Sequence, residues 1–434
     1  MNKLLKKSLV IAIITSCAAI SFQAQATNGY FAHGYGSKAK GMAGAGVALP
    51  QDSLAAATNP AGMVLVGNRW DAGAEVFIPD RTATTAWGTQ TTTNTLATYD
   101  GNGSGFGEEW FVIPEFGYNR MIDNNMSVGV SVFGNGGMNT SYSSQIFSAS
   151  TMGTNTGIDL AQLFISPTLS IKLDDKNSFG VSVNVVYQRF EAKGLSDFCA
   201  LKPSGCAPSP TAGLTDQGYD DSFGVGFRVG WIGQLTDNVS AGFSYQPKTK
   251  MQAFSDYNEL FAEGGDFDIP ANYAFGLSWK ATPKMTVAFD VEQIKYSQVK
   301  SIANVNNGFV GGQLGTTNGP GFGWDDMTIY KLGANFQVNK DLVIRAGWNH
   351  GSQPIPSSET LFNVIAPAVV EDHATLGFTW TMNGGGELTG YYMHAFDNTV
   401  TGTGTVTFPG AQNAGGANIG MSQNAFGVAY GKSF

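Results

Sequence analysis

Beyond its first 26 residues the sequence contains no run of 18 apolar residues, which excludes a membrane-spanning helix in that part of the chain. Charged residues are also scarce, at 13% of the 434 residues, whereas glycine (57) and the aromatic residues (29 Phe, 15 Tyr and 8 Trp) are abundant. This composition is unusual for a soluble multidomain protein. It suits a tilted membrane barrel with aromatic girdles, because only a closed sheet satisfies its backbone in lipid.

The sequence also lacks an excess of basic charge and the common catalytic motifs. Its 24 Lys and Arg against 33 Asp and Glu argue against a nucleic acid partner, which needs clustered cations for its phosphates. None of the four histidines lies in H-E-x-x-H, and neither a G-x-S-x-G elbow nor a Walker A stretch occurs. A Ser-His-Asn lipase arrangement on a barrel wall stays open, although no particular residues select it. We therefore expect neither an enzyme nor a cofactor or metal site.

Residues 1–26 are expected to be a secretory signal peptide. Three lysines precede an apolar stretch, and Ala24-Gln25-Ala26 is a small-x-small cleavage site. The alternative is a lipoprotein signal that ends at Cys17. Cleavage after Ala26 removes three lysines and no acids, so that 21 basic residues face 33 acidic ones, a net charge of about −12.

Two cysteines remain after cleavage, Cys199 and Cys206, in one loop rich in Pro and Gly. In an oxidising compartment we expect them to form a loop disulfide. A metal site is the weaker alternative, because no histidine or second cysteine pair lies nearby in sequence.

After Met63 the dominant pattern is an alternation of period two. In Phe179–Tyr187 the odd positions are large and apolar, whereas the even positions are mostly Gly, Ser and Asn. In a membrane barrel the apolar face contacts lipid and the small or polar face lines the lumen. Fourteen such segments occur, at 69–82, 110–121, 126–134, 159–173, 178–192, 220–235, 238–251, 267–281, 285–297, 324–338, 342–351, 370–381, 386–395 and 420–434.

The connections between these segments alternate in length. Tight turns such as Asp123-Asn124-Asn125 and Asn339-Lys340-Asp341 contain the residues that hairpins need. Long polar loops lie between them, for example at 83–109, 193–219, 298–323 and 396–419. Short turns on one side and long loops on the other predict an all-β fold, a 14-stranded antiparallel outer-membrane barrel over residues 69–434.

The end of the sequence agrees with this prediction. Phe426, Val428, Tyr430 and Lys432 share one face with the terminal Phe434. A terminal Phe after alternating aromatic residues resembles the signal that the barrel assembly machinery recognises. We therefore expect that machinery and the lipid of the Gram-negative outer membrane as partners of a monomeric barrel.

The segment Thr27–Met63 differs from the rest of the chain. It contains seven glycines and few large apolar side chains, so it can form neither a long helix nor a core of its own. A compact, weakly hydrophobic segment ahead of a long alternating sheet suggests a plug inside the barrel. We assign residues 27–68 to this plug, which we call the hatch.

Three features of the hatch carry a resemblance to a known family: the small-residue run Gly41–Gly46, then Asp52, then Asn59-Pro60-Ala61. On these residues the chain resembles the outer-membrane hydrophobic-compound transporters of the long-chain fatty acid and toluene transporter family. The resemblance implies that the hatch blocks the lumen and that Asn59, Pro60 and Ala61 lie at its turn. It also implies fatty acids or aromatic hydrocarbons as ligands.

Several residues are candidates for ligand passage. By parity, three basic side chains point into the lumen and could receive a carboxylate: Arg228, Lys331 and Arg345. Alternatively they pair across the lumen with Asp290, Glu292 or Glu115 and brace the hatch. His33 of the hatch either makes a local hydrogen bond or senses protons.

Two further sites are predicted outside the lumenal cations. Loop 252–266 carries an apolar set at helix-like spacing, Phe254, Tyr257, Leu260 and Phe261, and an exposed apolar cluster indicates a binding site. The resemblance implies an outer ligand groove here; a loop packed on the barrel rim is the alternative.

Glycines at the end of the third strand, Gly134, Gly136 and Gly137, mark a kink or the start of the loop. The resemblance implies a lateral portal at such a kink.

The sequence thus predicts passive outer-membrane transport of fatty acids or other hydrophobic compounds, since no nucleotide-binding or energy-coupling motif is present. A general porin, a lipid-modifying barrel enzyme and an adhesin are the rival interpretations. The basic lumenal residues slightly favour fatty acids.

Overall fold

The computed structural model describes residues 27–85, 97–102, 110–143, 146–147, 155–306, 312–403, 405–408 and 411–434. The predicted signal peptide, residues 1–26, lies outside these ranges. The strands are β1 (Arg69–Thr85), β2 (Ala97–Asp100), β3 (Phe111–Met121), β4 (Met126–Tyr142), β5 (Thr156–Lys172), β6 (Asn177–Lys193), β7 (Asp220–Thr236), β8 (Val239–Gln246), β9 (Asn272–Thr282), β10 (Met285–Ile294), β11 (Met327–Gln337), β12 (Leu342–Gly351), β13 (Asp372–Thr381), β14 (Gly386–Val400), β15 (Thr405–Phe408), β16 (Ala411–Gly415) and β17 (Asn418–Ser433).

Helices are short. They are α1 (Ser37–Lys40), α2 (Ala55–Thr58), α3 (Met63–Val66), α4 (Ala262–Gly265) and α5 (Lys300–Ala303), with 3-10 turns at Pro60–Gly62, Ser196–Leu201, Ser255–Tyr257, Tyr296–Gln298 and Phe362–Ile365. Within the described ranges, no helix has the length and apolar character needed to cross a membrane.

Fourteen strands form one antiparallel sheet that closes on itself, which confirms the predicted barrel. Consecutive strands pair from β3 through β14, β1 pairs with β3, and β17 pairs with both β14 and β1. The β1–β17 seam runs without a break from Arg69 opposite Ser433 to Thr84 opposite Asn418. Strand β2 adds to the end of β1, and β15 and β16 form a separate hairpin.

The alternation of side chains has the predicted orientation. In β6 the apolar side chains Phe179, Val181, Val183 and Val185 are 41–48% exposed, whereas Ser178, Ser182 and Asn184 are buried inside the barrel. Large apolar groups cover the outer face because the surrounding medium is hydrocarbon, and small or polar groups face the lumen.

The strand bounds differ from the prediction by more than three residues in four strands, β4, β8, β9 and β14. Strand β4 does not end at Gly134 but continues to Tyr142, because it stays paired with β5 through a register shift between Gly134 and Gly136. Strand β8 ends at Gln246 rather than at residue 251, because Pro247 has no N–H to donate to the ladder.

Residues 27–68 lie inside the barrel and contact the inward faces of its strands. The hatch leads directly into β1, and its lower part lies near the short turns. Above it, under the long loops, buried aromatic and aliphatic side chains from the loops and upper strands form one cluster with Tyr30 and Phe31.

Candidate functional site

The hatch approaches the barrel wall through its backbone. Nine inward-facing glycines leave room for it, since a Cβ built at any of them would lie within 3.0 Å of a hatch atom: Gly117, Gly129, Gly136, Gly180, Gly230, Gly242, Gly276, Gly333 and Gly347. At Gly347 that Cβ would be 2.3 Å from the carbonyl carbon of Met42. The small inward residues of the strands therefore match a plug that fills the lumen with main chain rather than with large side chains.

Asn59 is the centre of the hatch turn. Its side-chain amide donates to the carbonyl oxygens of Val47 (2.8 Å) and Trp231 (3.0 Å), and its Oδ1 accepts from the N–H of Ala61 (3.1 Å). Pro60 follows as the first residue of the 3-10 turn, where its missing N–H costs nothing. One buried side chain thus ties two hatch segments to strand β7, which is consistent with the turn role that the resemblance implies.

Ion pairs hold the first hatch helix. Lys38 pairs with Glu387 of β14 and Lys40 with Glu75 of β1, each at 2.6 Å, and the Tyr391 hydroxyl donates to Glu75. All but Glu387 are almost fully buried. These pairs were not foreseen, although two lysines in a segment of small residues required lumenal acids for compensation.

Carboxylates of the wall also accept hydrogen bonds from hatch N–H groups. Asp290 of β10 accepts from Gly46 (2.7 Å) and Val47 (3.0 Å), and Asp71 of β1 accepts from Ser53 (2.9 Å). Asp52 faces this region without an ion pair among the described residues. Burial, then the neighbouring Asp71, raises the pKa of Asp52 to about 7.

The three predicted lumenal cations are buried and contact the hatch or the wall. Lys331 pairs with Glu292 at 2.8 Å. Arg345 donates to Gln51 of the hatch (3.1 Å) and to Thr379, while Arg228 donates to Gln246 and to the carbonyl oxygen of Thr58 of the hatch (3.3 Å). Of the three, Lys331 alone pairs with an acid that the bracing alternative names, whereas the two arginines contact neutral groups of the hatch and the wall. Ligand binding and bracing both stay predictions.

The first residues of the hatch dock on the kink of β4. Phe31 bridges to Gly136, the N–H of Ala32 donates to Asn135 (2.9 Å), and the N–H of Gly137 donates to the carbonyl oxygen of Tyr30 (2.8 Å). A Cβ at Gly136 would be only 1.8 Å from that oxygen. The glycines lie inside a continuing strand, so their assignment to a strand end was wrong. The portal role stays a prediction.

The predicted outer groove is closed. Phe254, Tyr257, Leu260 and Phe261 are at most 4% exposed, so the inference of an exposed apolar cluster was wrong. The rings of Phe254, Tyr257 and Phe261 pack on Phe190 of β6, with centroids 4.7–5.7 Å away. The segment forms one 3-10 turn and the four-residue α4. The sequence spacing could not distinguish a groove from a loop that folds onto the rim.

The adjoining loop carries the two cysteines. Cys199 and Cys206 are joined by a disulfide. In the same loop the Lys202 ammonium is buried and pairs with Glu259 of the neighbouring loop at 3.2 Å. The two loops therefore form one cover above the aromatic cluster.

Arg81 is a candidate that the sequence reading missed. It is 1% exposed at the upper end of β1, and its Nη1 donates to the carbonyl oxygen (2.6 Å) and side chain (2.8 Å) of Asn139. Its Nε donates to Asn102, but its Nη2 has no partner, and among the described residues no carboxylate pairs with it. Parity with Asp71 and Glu75 would have placed it inside the barrel.

A closed barrel whose lumen holds its own N-terminal segment is a plugged membrane barrel. The sequence matches the family described as outer membrane protein transport protein (OMPP1/FadL/TodX) over residues 16–405. The chain therefore belongs to this family, and the predicted resemblance is confirmed. No curated protein matches it in sequence.

Solved structures share the fold. A FadL homologue from Pseudomonas aeruginosa is 15% identical with a TM-score of 0.67, over 94% of this chain and 100% of that chain. The toluene transporter TodX from P. putida is 20% identical with a TM-score of 0.64, over 93% and 99%. The toluene transporter TbuX from Ralstonia pickettii is 18% identical with a TM-score of 0.64, over 93% and 99%. At such identities the likeness concerns the fold alone.

Proposed function

We propose that this protein is a passive outer-membrane channel for hydrophobic compounds, closed at rest by residues 27–68. The observation that carries the proposal is the close fit of the hatch against nine wall glycines, at six of which a hatch backbone atom lies within 3.0 Å of the position that a Cβ would take. A compound would enter through the aromatic cluster beneath the loops and leave after the hatch shifts. Binding sites for apolar compounds are mostly apolar with few polar groups, and the cluster has this character.

The exit would lie at the β4 kink. Tyr30–Ala32 seal it through main-chain hydrogen bonds that end at Asn135 and Gly137. Withdrawal of this short segment would uncover the wall between Gly134 and Gly137 while the strands on either side stay paired. A lateral portal at this position would need little rearrangement of the barrel, because the segment that covers it belongs to the hatch and not to a strand.

The substrate class that we favour is a long-chain carboxylate, such as a fatty acid. The unpartnered Nη2 of Arg81 is the supporting observation, because a buried guanidinium without a carboxylate lacks its usual partner. Phe111 lies beside it, with its ring centroid 5.9 Å from the guanidinium carbon, and Phe77 and Tyr142 are buried nearby. An apolar tail could therefore lie beside a single anionic headgroup.

Aromatic hydrocarbons are the second candidate, and a different observation favours them. Phe190, Phe261 and Phe267 form a chain of rings with centroids 4.7 and 4.8 Å apart, in the tilted arrangements that aromatic groups prefer. A monoaromatic compound could join this stack without any polar contact. TodX and TbuX are described as toluene transporters.

Two experiments test the proposal. Deletion of residues 27–63 should raise the conductance of the purified barrel in planar bilayers; an unchanged conductance would indicate a general porin. For the substrate, binding of a long-chain fatty acid, its methyl ester and toluene should be measured by calorimetry. Arg81→Leu should weaken acid binding about tenfold or more, since a charge-assisted bond contributes about 1.5–3 kcal/mol, and should leave the ester unaffected.

The charge-retaining Arg81→Lys variant and Arg120→Leu at the exposed rim are the controls. Equal binding of acid and ester to the unaltered protein, with tighter binding of toluene, would refute the carboxylate and support the hydrocarbon. Incubation of the protein with phospholipid should release no acyl chains, whereas a lipid-modifying enzyme would release them.

A further inference from the structure

Two histidines meet across the boundary between the hatch and the barrel wall. The rings of His33 in the hatch and His373 in β13 are nearly parallel, 16° apart, with centroids 6.3 Å apart. Both residues are fully buried. A backbone carbonyl of Lys40 lies near His33 and one of Asn349 lies near His373, but among the described residues no side chain accepts from either ring and no carboxylate pairs with either. An imidazole buried without a counterion is stable in the neutral form.

The charged groups around the pair are mainly cationic on the hatch side. The Tyr391 ring centroid lies 6.4 Å from that of His33 and 5.9 Å from the Nζ of Lys40, which pairs with Glu75. Lys40 and Lys331 both act on His33, and Lys331, His350 and Asp372 act on His373. Asp372 is bonded to His350, and Glu75 is bonded to Lys40, so these acids are already engaged.

We propose that His33 and His373 form an acid-sensitive latch, which holds the hatch in place at neutral pH and releases it when the two imidazoles become protonated. Two imidazolium ions with ring centroids 6.3 Å apart, beside Lys40 and Lys331, would repel each other without a counterion. Water would solvate both once the hatch moves away. The proposal rests on the role of residues 27–68 as a hatch.

The sign of the effect follows from linkage. Burial, then Lys40 and His373, hold the pKa of His33 well below its usual range, so the docked hatch keeps it neutral. A released imidazole in water titrates at about 6.5. Docking is therefore fully favourable above that pH and weakens as the pH falls. From pH 7.5 to 5.0, each histidine should increase the released fraction about 30-fold, and both together close to 1,000-fold.

Asp52 titrates in the opposite sense, because its raised pKa lets it take up a proton while the hatch is docked. The test therefore uses an Asp52→Asn background, which keeps the side-chain oxygen that accepts from Leu54. Val47→Cys, at a buried hatch position, reports release through its reaction with a water-soluble disulfide reagent. Rates in lipid vesicles are divided by those of a free cysteine peptide at each pH.

The reactivity of the cysteine should rise steeply when the pH is lowered from 7.5 to 5.0. In His33→Phe or in His373→Phe this rise should fall to about 30-fold, and in the double variant it should vanish. His394→Phe, which removes a histidine bonded to Asn424 on the wall, should keep the full rise. A rise that persists in the double variant, or none in the parent, overturns the latch. Since the hatch role is tested separately by deletion of residues 27–63, a conductance that rises on deletion with a flat pH response refutes the latch alone.

Discussion

Removal of the Asn59 side chain should release the hatch without unfolding the barrel. Asn59→Ala abolishes three buried hydrogen bonds, to Val47, Trp231 and Ala61. The bond to Trp231 is the one that crosses from the hatch to the wall, whereas the bonds to Val47 and Ala61 lie within the hatch. At about 1 kcal/mol net for each bond, docking loses about 1 kcal/mol, which increases the released fraction about fivefold, and the fold of the hatch loses about 2 kcal/mol. The barrel strands keep all their ladder bonds, so the heat stability of the barrel in detergent should not change. Asn59→Ala together with Pro60→Ala should impair uptake of the hydrophobic compound.

The assay is the reactivity of a cysteine at Val47, with uptake of a hydrophobic compound by whole cells as the functional measure. Asn28→Ala is the matched control. Asn28 is a hatch asparagine as buried as Asn59, 1% against 2% exposed, but neither polar atom of its side chain has a partner. Its loss should therefore alter release only slightly. Equal effects of the two substitutions, or unaltered uptake in the Asn59 variant, would refute the assigned role of these bonds.

Three other predictions follow from the same contacts. Gly136→Val should displace Tyr30–Ala32 from β4, because a Cβ there would lie 1.8 Å from the Tyr30 oxygen, and crosslinking between engineered cysteines at residues 31 and 138 should fall; an unchanged yield would contradict the docking. Asp52→Asn should tighten docking above pH 7 by on the order of a few kcal/mol, because the pKa of Asp52 is raised to about 7 in the docked hatch and its charged form is destabilised there. The gain should shrink to about 1.5 kcal/mol at pH 5 and disappear below about pH 4, where the free carboxyl is protonated as well. Cysteine reactivity at pH 8 and pH 5 checks this, and a loss of docking at pH 8 would contradict it. Reduction of the Cys199–Cys206 disulfide should increase the mass of the protein by two hydrogens and speed proteolysis of loop 193–219, whereas a Cys199→Ser, Cys206→Ser variant should be cleaved at that rate without reductant.

The barrel could be predicted from the sequence because its signal is repeated and local. Each strand, as in Phe179–Tyr187, carries its own alternation, and lipid forces that alternation to be apolar outside. The ends of the strands were harder to predict, because pairing with a neighbouring strand can extend a strand through residues whose composition suggests a loop. At Gly134–Gly137 a glycine cluster suggested an end, yet the partner strand β5 continues and keeps β4 extended.

The site was predictable only in part, because its contacts join residues far apart in sequence. Parity placed Arg228, Lys331 and Arg345 in the lumen, but it could not indicate that Gln51 and Thr58 of the hatch accept from the two arginines. The pairing of His33 with His373 likewise depends on how far the hatch descends, which no local pattern records. The aromatic residues of loop 252–266 carried the right composition for a buried cover and for a groove alike.

The glycine-lined wall has a mechanical consequence. A plug anchored by bulky apolar side chains would lose their burial on leaving, at about 25 cal/mol per Å² of surface. In this protein many of the contacts that break when the hatch moves are hydrogen bonds and ion pairs between the hatch and the wall. Water that enters behind the moving segment can replace these contacts. The hatch is therefore held firmly while its polar contacts are shielded from water, and its release costs little free energy once water reaches them.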